Sequence, residues 1–290
     1  MIVTDPKNPK GIVWIASYPK SGNTWLRVYL YHLMRLMNGL PRSDNDLHAL
    51  DRASTYEARL VGLFDQFLGK PLATASRYEV ALVRPQVHAA IVQRTGSVSL
   101  VKTHAALGQL GNLPTHNLAV SAGTIYIVRD PRDVAISLAA HNGSTIDNAI
   151  TDMATQGYGT QNSQDAAFEV WGSWSENTLS WTDKPHDAVL VVRYEDMHAD
   201  PTATFTAVAK HLRQKPTSEQ LGEALALSSF DELRDAEIAA GDFRERSERA
   251  DRFFREGRAG EWHEKLTAEQ ARRIEDKHRE QMIKFGYLPH

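Results

Sequence analysis

The amino-acid sequence predicts an α/β fold in which a central parallel sheet is flanked by helices. Apolar runs typical of strands alternate with helical patterns, and the runs occupy residues 12–16, 98–102, 124–128 and 188–193. Such alternation favours a parallel sheet covered on both faces, because the crossover helices return over the sheet. A chain of 290 residues, 42% of them hydrophobic, can bury such a core. We therefore expect a single three-layer domain over residues 1–290.

The first strand run leads into a segment with the features of a phosphate-binding loop. Residues 17–25 read Ser-Tyr-Pro-Lys-Ser-Gly-Asn-Thr-Trp and are followed by an apolar-periodic helical run. A strand, a tight turn and a helix start direct backbone N–H groups and the helix dipole at one anion. Gly22 and Thr24 match a Walker A loop, but Asn23 replaces the Walker lysine and the lysine lies upstream, at Lys20. This displacement indicates a phosphate-type ligand bound by something other than an ordinary NTPase.

The second strand run ends at a histidine. Residues 100–104 read Leu-Val-Lys-Thr-His, and ligands of parallel sheets bind at the carboxyl ends of the strands. A neutral imidazole, with an ordinary pKa of about 6.5, can accept a proton there. Lys102 lies on the same face of an alternating strand as His104; the alternative is a solvated lysine at the strand end. The side chains that directly follow predicted strands are Tyr18, His104, Arg129 and Tyr194.

The third strand run enters a block that is rich in arginine and aspartate. Residues 126–137 read Tyr-Ile-Val-Arg-Asp-Pro-Arg-Asp-Val-Ala-Ile-Ser. Arg129 ends the strand, a helix is expected from Pro131, and Ser137 follows about two turns later. A guanidinium fork and a hydroxyl group together suit a dianionic phosphate. The alternative for Arg129 is a purely structural ion pair.

Polar residues mark the starts of several predicted helices. Asp130 and Asp133 are expected to cap the helix after Arg129 or to pair with Arg132. Residues 200–201, Asp-Pro, are a typical N-cap and first-turn pair. Thr267 with Gln270 predicts a capping box that opens a charged C-terminal helix.

Three blocks of this sequence carry a resemblance to a known family. Residues 17–25 resemble the 5′-phosphosulfate-binding loop of the cytosolic-type sulfotransferases, and residues 126–137 resemble a further block of the same family. Residues 254–262, Phe-Arg-Glu-Gly-Arg-Ala-Gly-Glu-Trp, are similar to its closing loop. The blocks stand in the family's order and span about residues 11–285. The resemblance implies the family's P-loop-like fold, and we expect a bacterial-type member.

The resemblance also implies a reaction. The family transfers a sulfuryl group from 3′-phosphoadenosine-5′-phosphosulfate (PAPS) to a hydroxyl or amine of a small-molecule acceptor, by in-line displacement and without a metal ion. The product is 3′,5′-bisphosphoadenosine (PAP). The catalytic residues implied are His104 as general base, Lys20 at the leaving phosphate and Lys102 at the transferring group. The implied donor-binding residues are Lys20, Ser21, Gly22, Asn23, Thr24, Trp25, Arg129, Ser137, Tyr194, Ser228, Phe230, Arg255, Glu256 and Gly257.

Some of these positions have alternatives or depart from the family. Trp25 would lie against the adenine or belong to the core of the first helix, and the same choice holds for Tyr194 and the segment 228–230. The family's closing loop reads Arg-Lys-Gly, whereas this chain has Glu256 in place of the lysine. A carboxylate beside a phosphate is unfavourable. We therefore expect Glu256 to point outward and Arg258 to restore the positive charge.

Composition excludes several classes of function. A net charge of −3 gives no reason to expect a nucleic acid or an anionic membrane surface as partner. The absence of cysteine excludes disulfides, thiolate metal sites and a cysteine nucleophile. Residues 1–10 have no apolar h-region, and no run approaches the ~18 apolar residues of a membrane-spanning helix. We expect a cytoplasmic protein, of open oligomeric state.

Two other functions and the acceptor stay open. A P-loop kinase or NTPase is disfavoured by Asn23, and a magnesium requirement would identify one. A non-catalytic nucleotide-binding protein is disfavoured by the joint presence of Lys20 and His104. The stretches 38–94 and 141–185 show no chemical pattern, so an alcohol, phenol, sugar, amine or lipid headgroup could be the acceptor. The tryptophans at helical intervals, Trp171, Trp174 and Trp181, are expected in the core.

Overall fold

The computed structural model describes residues 10–40, 54–240, 243, 252–254 and 256–289. The strands are β1 (Gly11–Ser17), β2 (Thr55–Tyr56), β3 (Val98–Thr103), β4 (Gln109–Leu110), β5 (Leu113–Pro114), β6 (Ser121–Val128) and β7 (Val189–Arg193). One sheet has the order β2-β3-β1-β6-β7, and β4 and β5 form a separate antiparallel pair. The predicted class, a parallel sheet flanked by helices, is confirmed.

The helices alternate with the strands as predicted. They are α1 (Asn23–Met37), α2 (Val61–Leu68), α3 (Arg77–Thr95), α4 (Pro131–Asn142), α5 (Ile146–Ala154), α6 (Trp174–Thr182), α7 (Tyr194–Ala199), α8 (Pro201–His211), α9 (Ser218–Leu227), α10 (Phe230–Ala240), α11 (Trp262–Lys265) and α12 (Ala268–Lys284). Among the described residues, none of the helices combines the length and the apolar character needed to cross a bilayer.

The chain divides into two compact units. Unit 1 lies within residues 1–18, 54–126 and 155–191, and unit 2 lies within residues 19–53, 127–154 and 192–290. Unit 1 carries β1, β3 and most of β6, whereas unit 2 carries α1, α4 and the C-terminal helices. The single domain over residues 1–290 stays a prediction.

Unit 1 is built on the pairing of β1 with β3. β1 is buried along its whole length and runs parallel to β3, from Gly11 opposite Val98 to Ala16 opposite Thr103. The carboxyl ends of the two strands therefore lie side by side. Near-continuous apolar residues suit such a strand, because it is covered on both faces.

A buried ion pair fixes the turn that follows β2. The guanidinium Nε of Arg84, on α3, lies 3.0 Å from a carboxylate oxygen of Glu57, and both side chains are almost completely buried. Burial alone would raise the pKa of Glu57, but the charge of Arg84 lowers it to about 2. Breaking such a pair would leave an uncompensated buried charge. The pair therefore holds this turn against α3.

Unit 2 has its own apolar core beneath α1. Val28 and Tyr31 of α1 pack with Leu233 of α10 and with Phe243 and Phe254. α1 also packs along α9, and α4 packs along α5 and α12. The core of unit 2 thus joins the helix that follows β1 to residues close to the closing loop.

The predicted helix starts are confirmed. Asp200 accepts a hydrogen bond from the backbone N–H of Ala203, and a proline occupies the first turn of α8. Thr267 and Gln270 form a capping box at the start of α12. A capping box at Ser76 that opens α3, within the apparently patternless stretch 38–94, escaped the sequence analysis.

Candidate active site

The phosphate-loop segment has a strained backbone. β1 ends at Ser17 and α1 begins at Asn23. Lys20 has φ 67° and Gly22 has φ 100°, and the left-handed region is costly for a residue with a side chain. Gly22 offers no side-chain cap to α1, and the first turn of α1 contains no acidic residue. The first N–H groups of this helix thus face no carboxylate from that turn, as an anion site requires.

Two features of this loop fit a phosphate ligand. The hydroxyl of Ser21 is fully buried and has no hydrogen-bond partner among the described residues. An unsatisfied buried donor is costly, so a ligand oxygen is its natural partner. A Cβ on Gly22 would lie 2.6 Å from the ring of Tyr194. Only glycine therefore allows the loop to approach that ring so closely. Asn23 and Thr24 are buried at the start of α1.

The guanidinium of Arg129 connects the predicted phosphate loop with the closing loop. Its two terminal nitrogens donate to the backbone carbonyls of Lys20 and Arg258, each at 3.2 Å. Its guanidinium carbon lies 4.3 Å from the ring centroid of Tyr194. Burial and the charge of Arg129 together lower the pKa of nearby His198 to about 4, so this imidazole is neutral at pH 7. Arg129 thus places its positive charge between backbone carbonyls of the two loops.

Lys20 contacts an aromatic ring near the closing loop. Its ammonium is 3.6 Å from the centroid of the Phe253 ring, and a contact of this kind is a favourable cation–π interaction. Phe253 is itself held by Glu237, which accepts hydrogen bonds from the backbone N–H groups of Phe253 and Phe254 at 2.6 and 3.0 Å. A phenylalanine beside the closing loop therefore supports the lysine of the phosphate loop.

The closing loop is tightly packed at Gly257. Gly257 has φ 62°, and a Cβ there would lie 2.0 Å from the ring of Phe230. Glu256 is exposed and lies 3.8 Å from Lys265, which confirms its expected outward orientation. The side chain of Arg258 pairs with Glu264 at 2.6 Å. The expectation that Arg258 restores the missing positive charge stays a prediction. Arg255 lies outside the described residues.

One of the two aspartates near Arg129 has a role that differs from the expected one. Asp130 caps α4 and pairs with Arg132 at 2.7 Å, as predicted. Asp133 neither caps α4 nor pairs with that arginine. It accepts the backbone N–H groups of Gly260 and Trp262 at 2.7 and 2.9 Å. Burial raises the pKa of this carboxyl. Asp133 thus anchors the closing loop to the start of α4.

The remaining predicted donor-binding residues differ in their surroundings. Trp25 is half-buried and packs edge-on against Tyr194, with ring centroids 5.9 Å apart. Ser228 is buried, and its hydroxyl donates to the carbonyl of Ala224 at 2.8 Å, so it ends helix α9. Phe230 opens α10 against Gly257, and Ser137 is partly exposed on α4. The rings of Tyr194 and Phe230 therefore lie beside glycines of the two loops and Trp25 packs on Tyr194, whereas the hydroxyl of Ser228 bonds within its own helix.

His104 occupies the end of β3 in unit 1. Its Nδ1 lies 2.9 Å from the backbone carbonyl of Ser17, the last residue of β1. A carbonyl can only accept, so Nδ1 carries the proton, and in the neutral ring Nε2 holds the lone pair. The pairing of Ala16 with Thr103 fixes both strand ends that position this contact. Nε2 is thus the ring nitrogen that can accept a proton when the ring is neutral.

Lys102 is not a solvated lysine. Its side chain is buried, and its ammonium lies 4.4 Å from the centroid of the Tyr56 ring. The hydroxyl of Tyr56 donates to Glu169 at 2.6 Å, and Glu169 also accepts the backbone N–H of His104 at 2.8 Å. Tyr56 and Glu169 were not predicted from the sequence. Both fall in the stretches without a chemical pattern, and no local signal distinguishes them.

Aromatic side chains surround this part of unit 1. Trp171 lies 6.5 Å from Tyr18 and 5.9 Å from Tyr158, measured between ring centroids. Trp174 and Trp181 are buried as predicted, but Trp171 is only half-buried, so its assignment to the core is wrong. In the described part of the chain, no three histidine, aspartate or glutamate side chains are grouped closely enough to hold a metal ion.

Comparisons with known proteins identify the family. The model of the family described as "Sulfotransferase domain" matches residues 10–286. Cytosolic sulfotransferase 16 of Arabidopsis thaliana is 26% identical over 298 residues, which cover 95% of this chain and 77% of the relative. Sulfotransferase 2A2 of Mus musculus is 24% identical over 292 residues, which cover 95% of this chain and 86% of the relative. The crystal structure of retinol dehydratase in a complex with retinol and PAP has the same fold, with a TM-score of 0.63, 21% identity, and 93% and 81% of the two chains covered. The chain belongs to the sulfotransferase family, whose general activity is sulfuryl transfer.

Proposed function

We propose that this chain transfers the sulfuryl group of PAPS to a hydroxyl or amine of a small-molecule acceptor. The observation that carries the proposal is the position of Arg129. Its guanidinium bonds to a carbonyl of the phosphate loop and to a carbonyl of the closing loop. All three sequence blocks that resemble the family thus converge on one charged side chain. A relative of the same fold has been crystallised with PAP.

The donor-binding residues divide by the part of the nucleotide that each would hold. Lys20, Ser21, Thr24 and the first N–H groups of α1, beginning at Asn23, would bind the 5′ end, since all of them offer donors or positive charge. Arg129, Ser137, Arg255 and the backbone around Glu256 and Gly257 would bind the 3′-phosphate. Trp25, Tyr194, Ser228 and Phe230 would flank the adenine, chiefly through aromatic surface.

The chemistry assigned to the chain is proton removal and charge stabilisation. PAPS supplies the sulfuryl group and a stable leaving phosphate. Nε2 of His104 takes the proton of the acceptor, and Lys20 stabilises the charge that develops on the leaving oxygen. Lys102 stabilises the transferring group. A sulfuryl group carries less negative charge than a phosphoryl group, so ammonium, guanidinium and N–H groups can serve where kinases use Mg²⁺.

The acceptor is proposed only as a class. The half-buried rings of Tyr158 and Trp171 give unit 1 a partly apolar surface, which favours a small organic molecule. Whether oxygen or nitrogen receives the sulfuryl group stays open, as does the oligomeric state. The cytoplasmic location and the bacterial type of the protein stay predictions.

A transfer assay in chelator tests the proposed reaction. With PAPS, an acceptor panel and EDTA, we expect mass spectrometry to detect acceptors that have gained one SO₃ group, at the same rate as without EDTA. A parallel reaction replaces PAPS by ATP and Mg²⁺. Loss of transfer in EDTA with recovery in Mg²⁺, or phosphorylation of the acceptor by ATP, would favour the kinase alternative.

The packing of the phosphate loop gives a second test. Gly22→Ala places a methyl group 2.6 Å from the ring of Tyr194 at a φ of 100°. Strain of ~1–3 kcal/mol should weaken PAP binding about 10- to 100-fold in calorimetry. Gly39→Ala is the matched control, because Gly39 also has a positive φ, at the other end of α1, with no atom within 4 Å of the added Cβ. We expect no more than about threefold change there. Unchanged affinity of the Gly22 variant would contradict the assigned loop geometry.

A further inference from the structure

A buried carboxylate lies directly beside the proposed general base. Glu169 is only 1% exposed. One carboxylate oxygen accepts the backbone N–H of His104 at 2.8 Å, and the other accepts the hydroxyl of Tyr56 at 2.6 Å. Longer contacts join the first oxygen to the hydroxyl of Thr103 at 3.4 Å and the second to the indole N–H of Trp171 at 3.5 Å. Both oxygens of this one side chain are thus occupied by donors.

The backbone on both sides of Glu169 is fixed within unit 1. Its N–H donates to the hydroxyl of Thr160 at 2.8 Å, and its carbonyl accepts the N–H of Thr160 at 2.9 Å. The preceding carbonyl, of Phe168, accepts from Arg84. The following carbonyl, of Val170, accepts the N–H of Ala106 at 2.8 Å. Glu169 is therefore a rigid support, since its own position depends on several independent bonds.

The donors that face Glu169 require a carboxylate. The backbone N–H of His104 and the indole N–H of Trp171 can only donate, and they face different oxygens of the same group. A carboxylate accepts at both oxygens, whereas an amide accepts at one end and presents N–H groups at the other. Glutamine would therefore leave one of these two donors facing another donor.

We propose that Glu169 is a positioning residue for His104. It holds the backbone of His104 on one side, while the carbonyl of Ser17 holds the imidazole Nδ1 on the other. The two contacts determine where Nε2 lies. Glu169 also holds Tyr56, whose ring lies 6.1 Å from the His104 ring and 4.4 Å from the ammonium of Lys102. This inference rests on the proposed role of His104 as the base.

The test is a double-mutant cycle between Glu169→Gln and His104→Ala. A small displacement of a catalytic group can lower a rate by ~10²-fold. We therefore expect Glu169→Gln to lower kcat about 10- to 100-fold, with the KM for PAPS within about threefold of the unmutated value. In the His104→Ala background the same substitution should change kcat less than about threefold, because the base that it positions is absent.

Glu176→Gln is the matched control. Glu176 is a second carboxylate of unit 1, and it accepts the backbone N–H groups of Ser173 and Gly157 at 2.8 and 3.1 Å in the capping box of α6. We expect this substitution to leave kcat within about threefold in both backgrounds. Tyr56→Phe is the second test variant, in case Glu169→Gln does not fold. It removes one donor to Glu169 without opening a cavity. We expect kcat to fall about 3- to 10-fold, and we expect this loss to disappear in the His104→Ala background.

The outcomes separate this inference from the proposed function. Equal losses in both backgrounds would assign Glu169 a merely structural role and overturn the inference. It would also be overturned if both Glu169→Gln and Tyr56→Phe kept the unmutated kcat while His104→Ala lost activity. If the unmutated protein transferred no SO₃ from PAPS, or if His104→Ala were fully active, the proposed function would fail and this inference with it.

Discussion

Replacement of His104 by alanine should lower kcat by ~10²–10⁴, the usual contribution of a general base. The carbonyl of Ser17 holds Nδ1 of His104 in its protonated form, so Nε2 is the nitrogen that can accept a proton. The donor-binding residues assigned in unit 2 do not include this side chain. PAP affinity should therefore stay within a few-fold of the unmutated value.

Steady-state kinetics and calorimetry measure these two effects separately. His186→Ala is the matched control in unit 1, because His186 is exposed and its Nδ1 accepts only a local backbone N–H; we expect unchanged kcat. A more acidic phenolic acceptor should reduce the loss in His104→Ala, since its proton leaves with less help. A His104→Ala protein with normal activity would remove this residue from the mechanism.

Replacement of Arg129 by alanine should abolish most of the discrimination between PAP and 5′-AMP. A dianionic 3′-phosphate held by Arg129, Ser137 and the closing loop would gain several charge-assisted hydrogen bonds, each worth ~1.5–3 kcal/mol. Arg129→Ala should therefore lower the affinity for PAP about 100-fold and leave the affinity for 5′-AMP little changed. Calorimetry with both nucleotides measures the two affinities.

Two further variants make the Arg129 result specific. Lys20→Ala should lower the affinity for both nucleotides, because Lys20 is assigned to the 5′ end that they share. Arg234→Ala is the control for loss of an arginine. Arg234 pairs with Asp231 on the surface of α10, at 3.0 Å. The Arg234→Ala protein should bind both nucleotides as the unmutated protein does. If Arg129→Ala weakened PAP and 5′-AMP equally, the 3′-phosphate would have to be bound elsewhere.

The features predicted correctly from the sequence depend on local patterns. The strands that lead to residue 17 and to His104, predicted over residues 12–16 and 98–102, and the helix start at Pro131 follow from apolar runs and turn chemistry within a few residues. Parallel pairing of β1 with β3 then brings His104 to the carbonyl of Ser17. A strand, turn and helix start around residues 17–25 and a histidine at a strand end could thus be inferred without coordinates.

The features that escaped prediction are contacts between residues that lie far apart in the sequence. Glu169 is 65 positions from His104, in a stretch with no chemical pattern, and only the fold brings its carboxylate to that backbone. Asp133 looked like a local cap, but its oxygens accept N–H groups of the closing loop. Such partners are determined by tertiary packing, which no local pattern records.

The central claim is that the two loops joined by Arg129 bind an adenine nucleotide through its 3′-phosphate. It is tested most directly by calorimetry of the unmutated protein with PAP and with 5′-AMP, in EDTA and under the same buffer and salt. We expect PAP to bind at least ~100-fold more tightly, a difference of about 2.7 kcal/mol. Equal affinity for the two nucleotides would contradict the site assignment, and most of the proposed function with it.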